Sequence, residues 1–455
     1  MEMGTGKTKV AIDWAGIGFH NFGVRKVLVV APLSVLSVWP RQIRQHSPVS
    51  NRALKLTGST INRVRLLKLL MKNPDDSKVT WVIINYEGIW RSPDRGYGVE
   101  QLLIKWAPDI VIFDESHRIK SHSSKQSRAA WRIARTVPMR LLLSGTPITK
   151  APLDLFGQFR ALDSSIFGTK WTDFRRRYAL FVGPGQIKYI LRAYLNLDEL
   201  IGIVKKWTFR IKKSQCLDLP PKVYLPVPVT LSAKAVNLYK EMANEMIIEI
   251  EETHATASIV LTKMLRLRTI ASGFVKDVEG KIRIFDDSKL LACLDLLEDL
   301  IEEDHKVVVF FRFTADLARI DEALDKRGIK HLILSGSVPE SRRDSIRDQF
   351  QNDPDSLWPV FLIQIQTGSE GIELFAADAA IYYTIDHNAL HYWQSQDRLH
   401  RPGQKSSKVT YYQLIAEPVP IDRITYQALD HKTNLAEAVL HNPRVLLNGI
   451  STLDR

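Results

Sequence analysis

The chain has 455 residues, 45% of them hydrophobic and 25% charged, a composition typical of folded proteins and not of disordered or fibrous ones. Single cores stop growing at about 250–300 residues, so we expect two or three domains. The net charge is +13, and two cysteines, Cys216 and Cys293, cannot form a disulfide framework or a four-ligand zinc site. We therefore expect a reducing compartment. The apolar stretch 27–39 is too short for the ~20 residues of a membrane span, and we expect no membrane segment.

Strand-like runs alternate with helical patterns along most of the chain, which is typical of βαβ units and parallel sheets. The first series comprises residues 26–31, 81–85, 109–114 and 140–144, and the second comprises 306–311, 331–335, 360–364, 379–383 and 409–414. Between about residues 150 and 285 the pattern becomes mainly helical, and 231–271 predicts one or two long helices. The prolines between 220 and 228 indicate an extended connector. We therefore predict two α/β domains joined by a helical region.

Positive charge is concentrated in one part of the chain. Residues 165–230 contain 12 Lys or Arg and 4 Asp or Glu, so this segment carries 12 − 4 = +8. Such an excess favours a polyanionic partner, because Lys and Arg that face phosphates release counterions. A solvated basic face is the alternative explanation of the same charge.

The first chemical motif stands at the start of the sequence, where Gly4-Thr5-Gly6-Lys7-Thr8 precedes a helical run. Glycines let backbone N–H groups wrap around phosphates, Lys7 would reach the terminal phosphates, and the Thr8 hydroxyl would bind Mg²⁺. The alternative is an ordinary glycine-rich loop. The full phosphate-loop pattern has an earlier glycine where this sequence has Met1, and a strand normally precedes the loop. We therefore expect the chain to start inside a domain, without that strand.

The second motif is Asp114-Glu115-Ser116-His117, at the end of an apolar run. Ligands of open α/β sheets bind at the carboxyl ends of strands, so these carboxylates are expected beside the phosphate loop. Asp114 suits Mg²⁺, and Glu115 is placed to polarise an attacking water. An acidic turn without function is the alternative.

Together with Leu143-Ser144-Gly145-Thr146-Pro147, these two motifs resemble the first three ATPase motifs of superfamily-two helicases. The Asp-Glu-Ser-His form is similar to that of the Swi/Snf-type DNA translocases. The resemblance implies that Ser144 and Thr146 couple the state of ATP to the nucleic-acid site.

The second half of the chain extends the resemblance. Residues 308–314 are similar to the strand that opens the second motor domain, and residues 367–374 resemble a later motif that includes Gly371. The family usually has Asn where this chain has Glu373, which puts one contact in doubt. Residues 394–404 closely resemble the motif Q-x-x-x-R-x-H-R-x-G-Q.

Within that last motif, Arg398 and Arg401 are three residues apart and would project from one face of a helix. Guanidinium groups that reach a γ-phosphate stabilise the charge of the transition state. Surface arginines in salt bridges are the alternative. By resemblance, Gln394 is assigned to nucleotide binding.

The resemblance implies two RecA-like parallel-sheet motor domains with a mainly helical insertion between them. The predicted segments are 1–165, the first ATP-binding domain without its N-terminal strand; 166–285, the basic insertion and linker; 286–430, the second motor domain; and 431–455, a tail. ATP and Mg²⁺ are the implied ligands, with Gly4, Thr5, Gly6, Lys7, Thr8 and Gln394 on the nucleotide, Thr8 and Asp114 on the metal, Lys7, Glu115, Arg398 and Arg401 in catalysis, and Ser144, Thr146 and Gly371 in coupling.

Double-stranded DNA is the expected track, held by its phosphates; Arg175, Arg176, Lys212 and Lys213 are the candidate contacts. Two alternatives stay open: a strand-unwinding helicase or restriction-system motor, and a catalytically silent DNA-binding scaffold. We expect a cytoplasmic location in a bacterial or phage-infected cell, or a nuclear one in a eukaryote.

Overall fold

A computed structural model of the chain describes residues 1–92, 98–148, 151–182, 190–252, 257–277, 279–353, 357–368, 372–385, 388–430 and 435–448. The chain divides into two compact units, Met1–Leu217 and Asp218–Arg455. This boundary falls inside the predicted segment 166–285. Among the described residues, no helix combines the length and the apolar character that crossing a bilayer requires.

The first unit is an α/β unit followed by a small helical and hairpin region. Its helices are α1 (Lys7–Phe22), α2 (Val38–His46), α3 (Thr60–Lys72), α4 (Tyr86–Ile89), α5 (Val99–Trp106), α6 (Lys125–Ala134), α7 (Leu155–Leu162), α8 (Ser164–Phe167), α9 (Trp171–Tyr178) and α10 (Leu197–Trp207). Its strands are β1 (Lys26–Ala31), β2 (Asn51–Leu56), β3 (Val79–Asn85), β4 (Ile110–Asp114), β5 (Met139–Leu143), β6 (Ala179–Val182) and β7 (Ile190–Tyr194). Single 3₁₀ turns lie at Leu33–Val35, Ser116–Ile119, Pro152–Asp154 and Lys213–Gln215.

The sheet of the first unit has five strands in the order β2-β3-β1-β4-β5, all paired in parallel. Its central strands are buried over nearly their whole length, as expected for parallel strands covered on both faces. In the register of β4 and β5, Asp114 lies opposite Leu143. The motifs that follow these two strands therefore emerge side by side at the carboxyl edge of the sheet.

The second unit contains the remaining elements. Its strands are β8 (Lys222–Thr230), β9 (Phe274–Lys276), β10 (Ile282–Ile284), β11 (Val307–Phe311), β12 (His331–Leu334), β13 (Val360–Gln364), β14 (Ala379–Tyr382) and β15 (Val409–Glu417). Its helices are α11 (Ala233–Glu252), α12 (Ala257–Ala271), α13 (Ser288–Glu302), α14 (Thr314–Lys326), α15 (Glu340–Gln351), α16 (Ile365–Gly368), α17 (Ala389–Leu399), α18 (Ile421–Asp430), α19 (Leu435–His441) and α20 (Val445–Asn448).

The second sheet has six parallel strands in the order β12-β13-β11-β14-β15-β8. Its edge strand, β8, contains Pro226 and Pro228 and pairs with β15 along its full length. Edge strands tolerate proline because one row of their N–H groups has no partner strand to serve. The segment for which an extended connector was predicted is therefore extended, and it belongs to the second sheet.

Each sheet separates two apolar clusters. Alternate residues of β1 face opposite sides: Val27 and Val29 pack with α1 and α2, whereas Leu28 and Val30 pack with α3, α5 and α6. The second sheet repeats this arrangement around β11. The two parallel α/β sheets predicted from the alternating pattern are confirmed.

Candidate functional site

The phosphate-loop motif forms a tight turn into α1. Gly4 and Gly6 have φ of 79° and 84°, a left-handed conformation that favours glycine. The Thr5 hydroxyl donates to the backbone oxygen of Glu2 at 2.8 Å. Because the first N–H groups of a helix have no acceptor within the helix, the turn presents donors to an anion.

Lys7 directs its ammonium group back over the same turn. Its Nζ donates to the backbone oxygen of Glu2 at 3.0 Å. A Cβ atom built on Gly145 would lie 3.7 Å from the same Nζ and 2.9 Å from Cγ of Met3. The glycine of the third motif therefore permits a close approach between the turn after β5 and the phosphate loop.

Asp114 lies buried at the carboxyl end of β4. Its Oδ2 accepts a hydrogen bond from Nε1 of Trp39 at 3.0 Å, and its Oδ1 accepts one from the backbone N–H of Glu115 at 3.0 Å. Burial and, to a smaller extent, the charge of Glu115 raise the pKa of Asp114 to about 6, against the Trp39 hydrogen bond and the charge of Lys7, which lower it. Asp114 is thus held rigidly within the electrostatic reach of Lys7.

Glu115 occupies the start of the turn that follows β4, with φ of 48°, an uncommon conformation for a residue other than glycine. Its Oε2 lies 3.3 Å from Nδ1 of His117. Backbone strain of this kind clusters at functional sites, where surrounding structure maintains it. The Glu115 carboxylate lies close enough to Asp114 for its charge to raise the pKa of that residue.

A buried glutamine joins the second and third motifs. Gln158 accepts a hydrogen bond from the Ser116 hydroxyl at 2.9 Å and donates through Nε2 to the backbone oxygen of Pro147 at 2.6 Å. In the same turn, the Ser144 hydroxyl accepts from the backbone N–H of Thr146 at 3.1 Å. Ser144 and Thr146 therefore belong to a turn that is connected to the acidic motif through α7.

In the second unit, the long motif occupies α17 and the turn after it. Gln394 and Arg398 are both buried on this helix. The backbone oxygen of Arg398 accepts from the N–H of Leu374, and the His400 ring bonds the backbone oxygen of Pro220 at 2.8 Å. The motif is therefore fixed to its neighbours by backbone contacts.

Arg401 lies just beyond α17 and is partly exposed. One of its terminal nitrogens is 3.2 Å from Oε1 of Glu373, the position at which this sequence departs from the motif pattern. The presence of Glu at position 373, where the family usually has Asn, thus places a carboxylate beside an arginine that was predicted to bind a phosphate. Gly371, predicted to couple the two activities, lies outside the described residues.

The four candidate nucleic-acid contacts differ in exposure. Arg176 and Lys212 are exposed, Arg175 is partly buried with its guanidinium 5.4 Å from the Phe181 ring, and Lys213 is buried. All four lie in the first unit. Arg176 and Lys212 are the two best placed to meet a phosphate.

Residues 1–273 match the SNF2-related domain, and residues 288–403 match the helicase conserved C-terminal domain. The chain belongs to the SNF2-related family. The Swi/Snf-type resemblance drawn from the motifs is confirmed, and with it the assignment of the two parallel sheets to a pair of RecA-like domains.

Among SNF2-related proteins, the chain is 29% identical to the human DNA annealing helicase and endonuclease ZRANB3, over 97% of this chain and 38% of that protein. It is 26% identical to an uncharacterized ATP-dependent helicase of Mycoplasma pneumoniae, over 93% of this chain and 38% of that protein. The Sulfolobus solfataricus SWI2/SNF2 ATPase core in complex with dsDNA aligns with a TM-score of 0.41 and 20% identity, over 97% of this chain and 88% of that one. The chain thus spans about two fifths of these curated relatives.

Three side chains that support this SNF2-related site were not found from the sequence: Trp39, Tyr86 and Gln158. Trp39 and Tyr86 bond the side chain and the backbone oxygen of Asp114, respectively. Only Gln158 carries a signal, since it is a polar residue between Gly157 and Phe159 on a helix that, apart from Arg160, is otherwise apolar. Buried polar groups are normally hydrogen-bonded, so such a residue indicates a specific partner.

The donor set of the first unit fits ATP and Mg²⁺. Left-handed glycines, helix N–H donors and the Lys7 ammonium suit a polyphosphate. The Thr8 hydroxyl and the Asp114 carboxylate are oxygen donors of the kind that Mg²⁺ prefers. Of these residues, Lys7 lies within electrostatic reach of Asp114 at the carboxyl end of β4.

Proposed function

We propose that the chain is an ATP-driven translocase that acts on double-stranded DNA. One observation carries the proposal: Lys7 lies against Gly145 and within electrostatic reach of Asp114, so that three ATPase motifs meet at one sheet edge. Membership of the SNF2-related family supports the same activity.

In this proposal the backbone of residues 4–8 and the Lys7 ammonium bind the phosphates. Thr8 and Asp114 would hold Mg²⁺, which neutralises phosphate charge during hydrolysis. Glu115 orients the attacking water and accepts its proton, while the nearby His117 restrains its carboxylate.

The second unit contributes Gln394, Arg398 and Arg401 to nucleotide binding and hydrolysis. Arginines that stabilise the charge of a transferring phosphoryl group raise rates by about 10³–10⁵ in other nucleotide hydrolases. Arg398 is the more buried of the two, and the partly exposed Arg401 is paired with Glu373.

Duplex DNA is the proposed track because relatives include proteins named as DNA annealing helicases and because the first unit carries a basic region. Arg175 and Arg176 on α9 and Lys212 before the turn Lys213–Gln215 are the proposed phosphate contacts, and the buried Lys213 is the least accessible of the four candidates. Contacts to phosphates do not depend on base sequence, which suits movement along a track.

The first experiment measures steady-state ATP hydrolysis with and without duplex DNA for the unmodified chain, Lys7→Ala and Lys9→Ala. Lys9 is an exposed lysine two residues along the same helix, paired with Asp13, and is the matched control. We expect K7A to lose ATP binding and hydrolysis and K9A to retain both. Equal activity of K7A and the unmodified chain would contradict the proposed site.

The second experiment separates the proposal from its alternatives. Duplex DNA should stimulate ATP hydrolysis by the chain. With ATP, the chain should displace the third strand from a DNA triplex and leave a simple fork duplex intact. Strand separation would favour an unwinding helicase, and equal stimulation by duplex RNA would contradict the Swi/Snf-type assignment. A chain that binds DNA but has no measurable ATP affinity would be a scaffold.

A further inference from the structure

Two aromatic rings project from a cationic stretch at the end of α10. Trp207, the last residue of the helix, is 53% exposed, and Phe209 is 72% exposed. Every residue from 205 to 210 is exposed. Neither ring contacts another aromatic ring in the part of the chain that the structure describes. The two rings are therefore available to a ligand.

Positive charge surrounds these rings. Residues 200–217 include five cations, namely Lys205, Lys206, Arg210, Lys212 and Lys213, and no Asp or Glu. Four of the five are exposed, and those four form no side-chain ion pair with the described residues. Lysines in the last turn of a helix also offset its dipole, but the helix dipole gives no reason for Arg210 or Lys212, which lie beyond it.

The stretch is held in place at both ends. On the inner face of α10, Leu200 and Val204 pack into the apolar cluster of α7 and α9. At the other end, Glu2 donates its N–H to the backbone oxygen of Ile211 at 3.1 Å and accepts the N–H of Lys213 on its carboxylate at 2.8 Å. The rings and charges are thus presented by a fixed backbone, which lowers the entropic cost of binding.

We propose that residues 205–212 bind single-stranded nucleic acid, with Trp207 and Phe209 stacking on unpaired bases and the flanking cations meeting the phosphates. Exposed aromatics interleaved with cations are the combination by which proteins hold single strands without reading their sequence. The absence of any carboxylate from 200 to 217 disfavours a basic protein partner. This surface goes beyond the proposed duplex track, whose bases are stacked on one another and closed to the rings.

The test is fluorescence anisotropy of the full chain with a labelled oligothymidine of about 20 nucleotides and with an abasic strand of the same length. Stacking contributes about 1–3 kcal/mol per base, so the unmodified chain should bind the oligothymidine at least about tenfold more tightly than the abasic strand. The double variant W207A/F209A should lose this difference and keep its affinity for the abasic strand. The stacking-competent variant W207F/F209Y should retain most of the difference.

Phe22→Ala is the matched control, because Phe22 is 74% exposed at the end of α1 and lies outside the cationic stretch. It should bind both strands like the unmodified chain. The proposal is overturned if W207A/F209A binds the oligothymidine with the affinity of the unmodified chain. It is also overturned if its affinity for the abasic strand falls by the same factor as its affinity for the oligothymidine. If the unmodified chain showed no duplex-stimulated ATP hydrolysis but still bound the oligothymidine more tightly than the abasic strand, the proposed translocase would be contradicted and this surface would not.

Discussion

At the scale of single residues, the contact between Arg401 and Glu373 gives this chain an ion pair that the usual asparagine could not form. The two groups are 3.2 Å apart and only partly buried. A phosphate that approaches Arg401 must compete with this carboxylate. Partly exposed pairs of this kind contribute about 0.2–1 kcal/mol, and under the proposed function this amount is subtracted from the free energy of nucleotide binding.

Replacing Glu373 by Gln should therefore raise kcat/KM for ATP by up to about fivefold, which is the rate equivalent of about 1 kcal/mol. Steady-state hydrolysis measures the change. Glu417→Gln is the control, because Glu417 pairs with Arg423 on another element of the same unit. A fall in kcat with E373Q would instead assign Glu373 to the positioning of Arg401.

A second residue-scale feature is Asp316 on α14, which is completely buried and accepts a hydrogen bond from the Thr384 hydroxyl at 2.9 Å. Burial raises the pKa of Asp316 to about 7, against the opposing hydrogen bonds and the charges of Lys289 and Arg319. Because folding raises this pKa, its contribution to stability is complete below about pH 4 and is lost as the pH rises through about 7.

Asp316→Asn should remove this dependence, so the free energy of unfolding of the unmodified chain should fall relative to that of D316N as the pH rises from 4 to 8. The difference is at most roughly 4 kcal/mol, from about three pKa units. Urea unfolding at several pH values measures it. Asp325→Asn, an exposed site on the same helix, should run parallel to the unmodified chain. A constant difference between the unmodified chain and D316N would contradict the assignment.

At the scale of elements, the site in the first unit depends on how closely α7 packs against the turn Ser116–Ile119. A Cβ atom at Gly157 would lie 2.2 Å from the backbone oxygen of Ile119. A backbone atom cannot move aside alone, so any side chain at this position must shift the turn that carries the acidic motif.

Gly157→Ala should destabilise the first unit by about 1–3 kcal/mol and lower ATP hydrolysis, since overpacking displaces the backbone. Gly202→Ala is the control on α10, where a new Cβ atom meets nothing within 4 Å. It should be neutral or stabilising by about 0.5–1 kcal/mol, because alanine favours a helix over glycine. Urea unfolding followed together with ATPase activity distinguishes these results, and a stable, active G157A would show that the turn can move freely.

The elements also explain which features of the fold and the site could be predicted from the sequence. The strands around β1 and β11 were predictable because continuous apolar runs with turn residues are local signals. The pairing of β8 with β15 was not, since it joins residues almost 200 positions apart and its prolines indicate only an extended backbone. Gly4, Lys7 and Asp114 could be predicted as site residues because their motifs are contiguous in sequence. Trp39, Tyr86 and Gln158 were missed because only the fold brings them to Asp114 and its neighbours.

At the scale of the whole molecule, the first unit contains 36 Lys or Arg and 15 Asp or Glu, a net charge of +21, and its basic region, residues 165–217, carries 11 − 3 = +8 of this. If this region binds duplex phosphates, the logarithm of the affinity should fall linearly with the logarithm of the salt concentration, with a slope of about −0.9 for each phosphate contact.

Arg176→Ala and Lys212→Ala should each reduce this slope by about 1 and weaken binding similarly for all sequences. Anisotropy with a labelled duplex between low and physiological salt measures the slope. Lys326→Ala, an exposed lysine of the second unit paired with Glu322, should leave it unchanged. An unaltered slope in R176A and K212A would place the duplex contacts elsewhere.

Glu2 connects the phosphate loop to residues that lie more than 200 positions away in the sequence. Its backbone oxygen accepts from Lys7, while its N–H and carboxylate hold residues 211 and 213. A phosphate that draws Lys7 away removes a bond from the residue that anchors the cationic stretch. Thermodynamic linkage makes any such effect mutual: a strand that settles on that stretch must change ATP affinity by the same factor that ATP changes its own. A single glutamate would then couple the binding of ATP to the binding of the nucleic-acid strand.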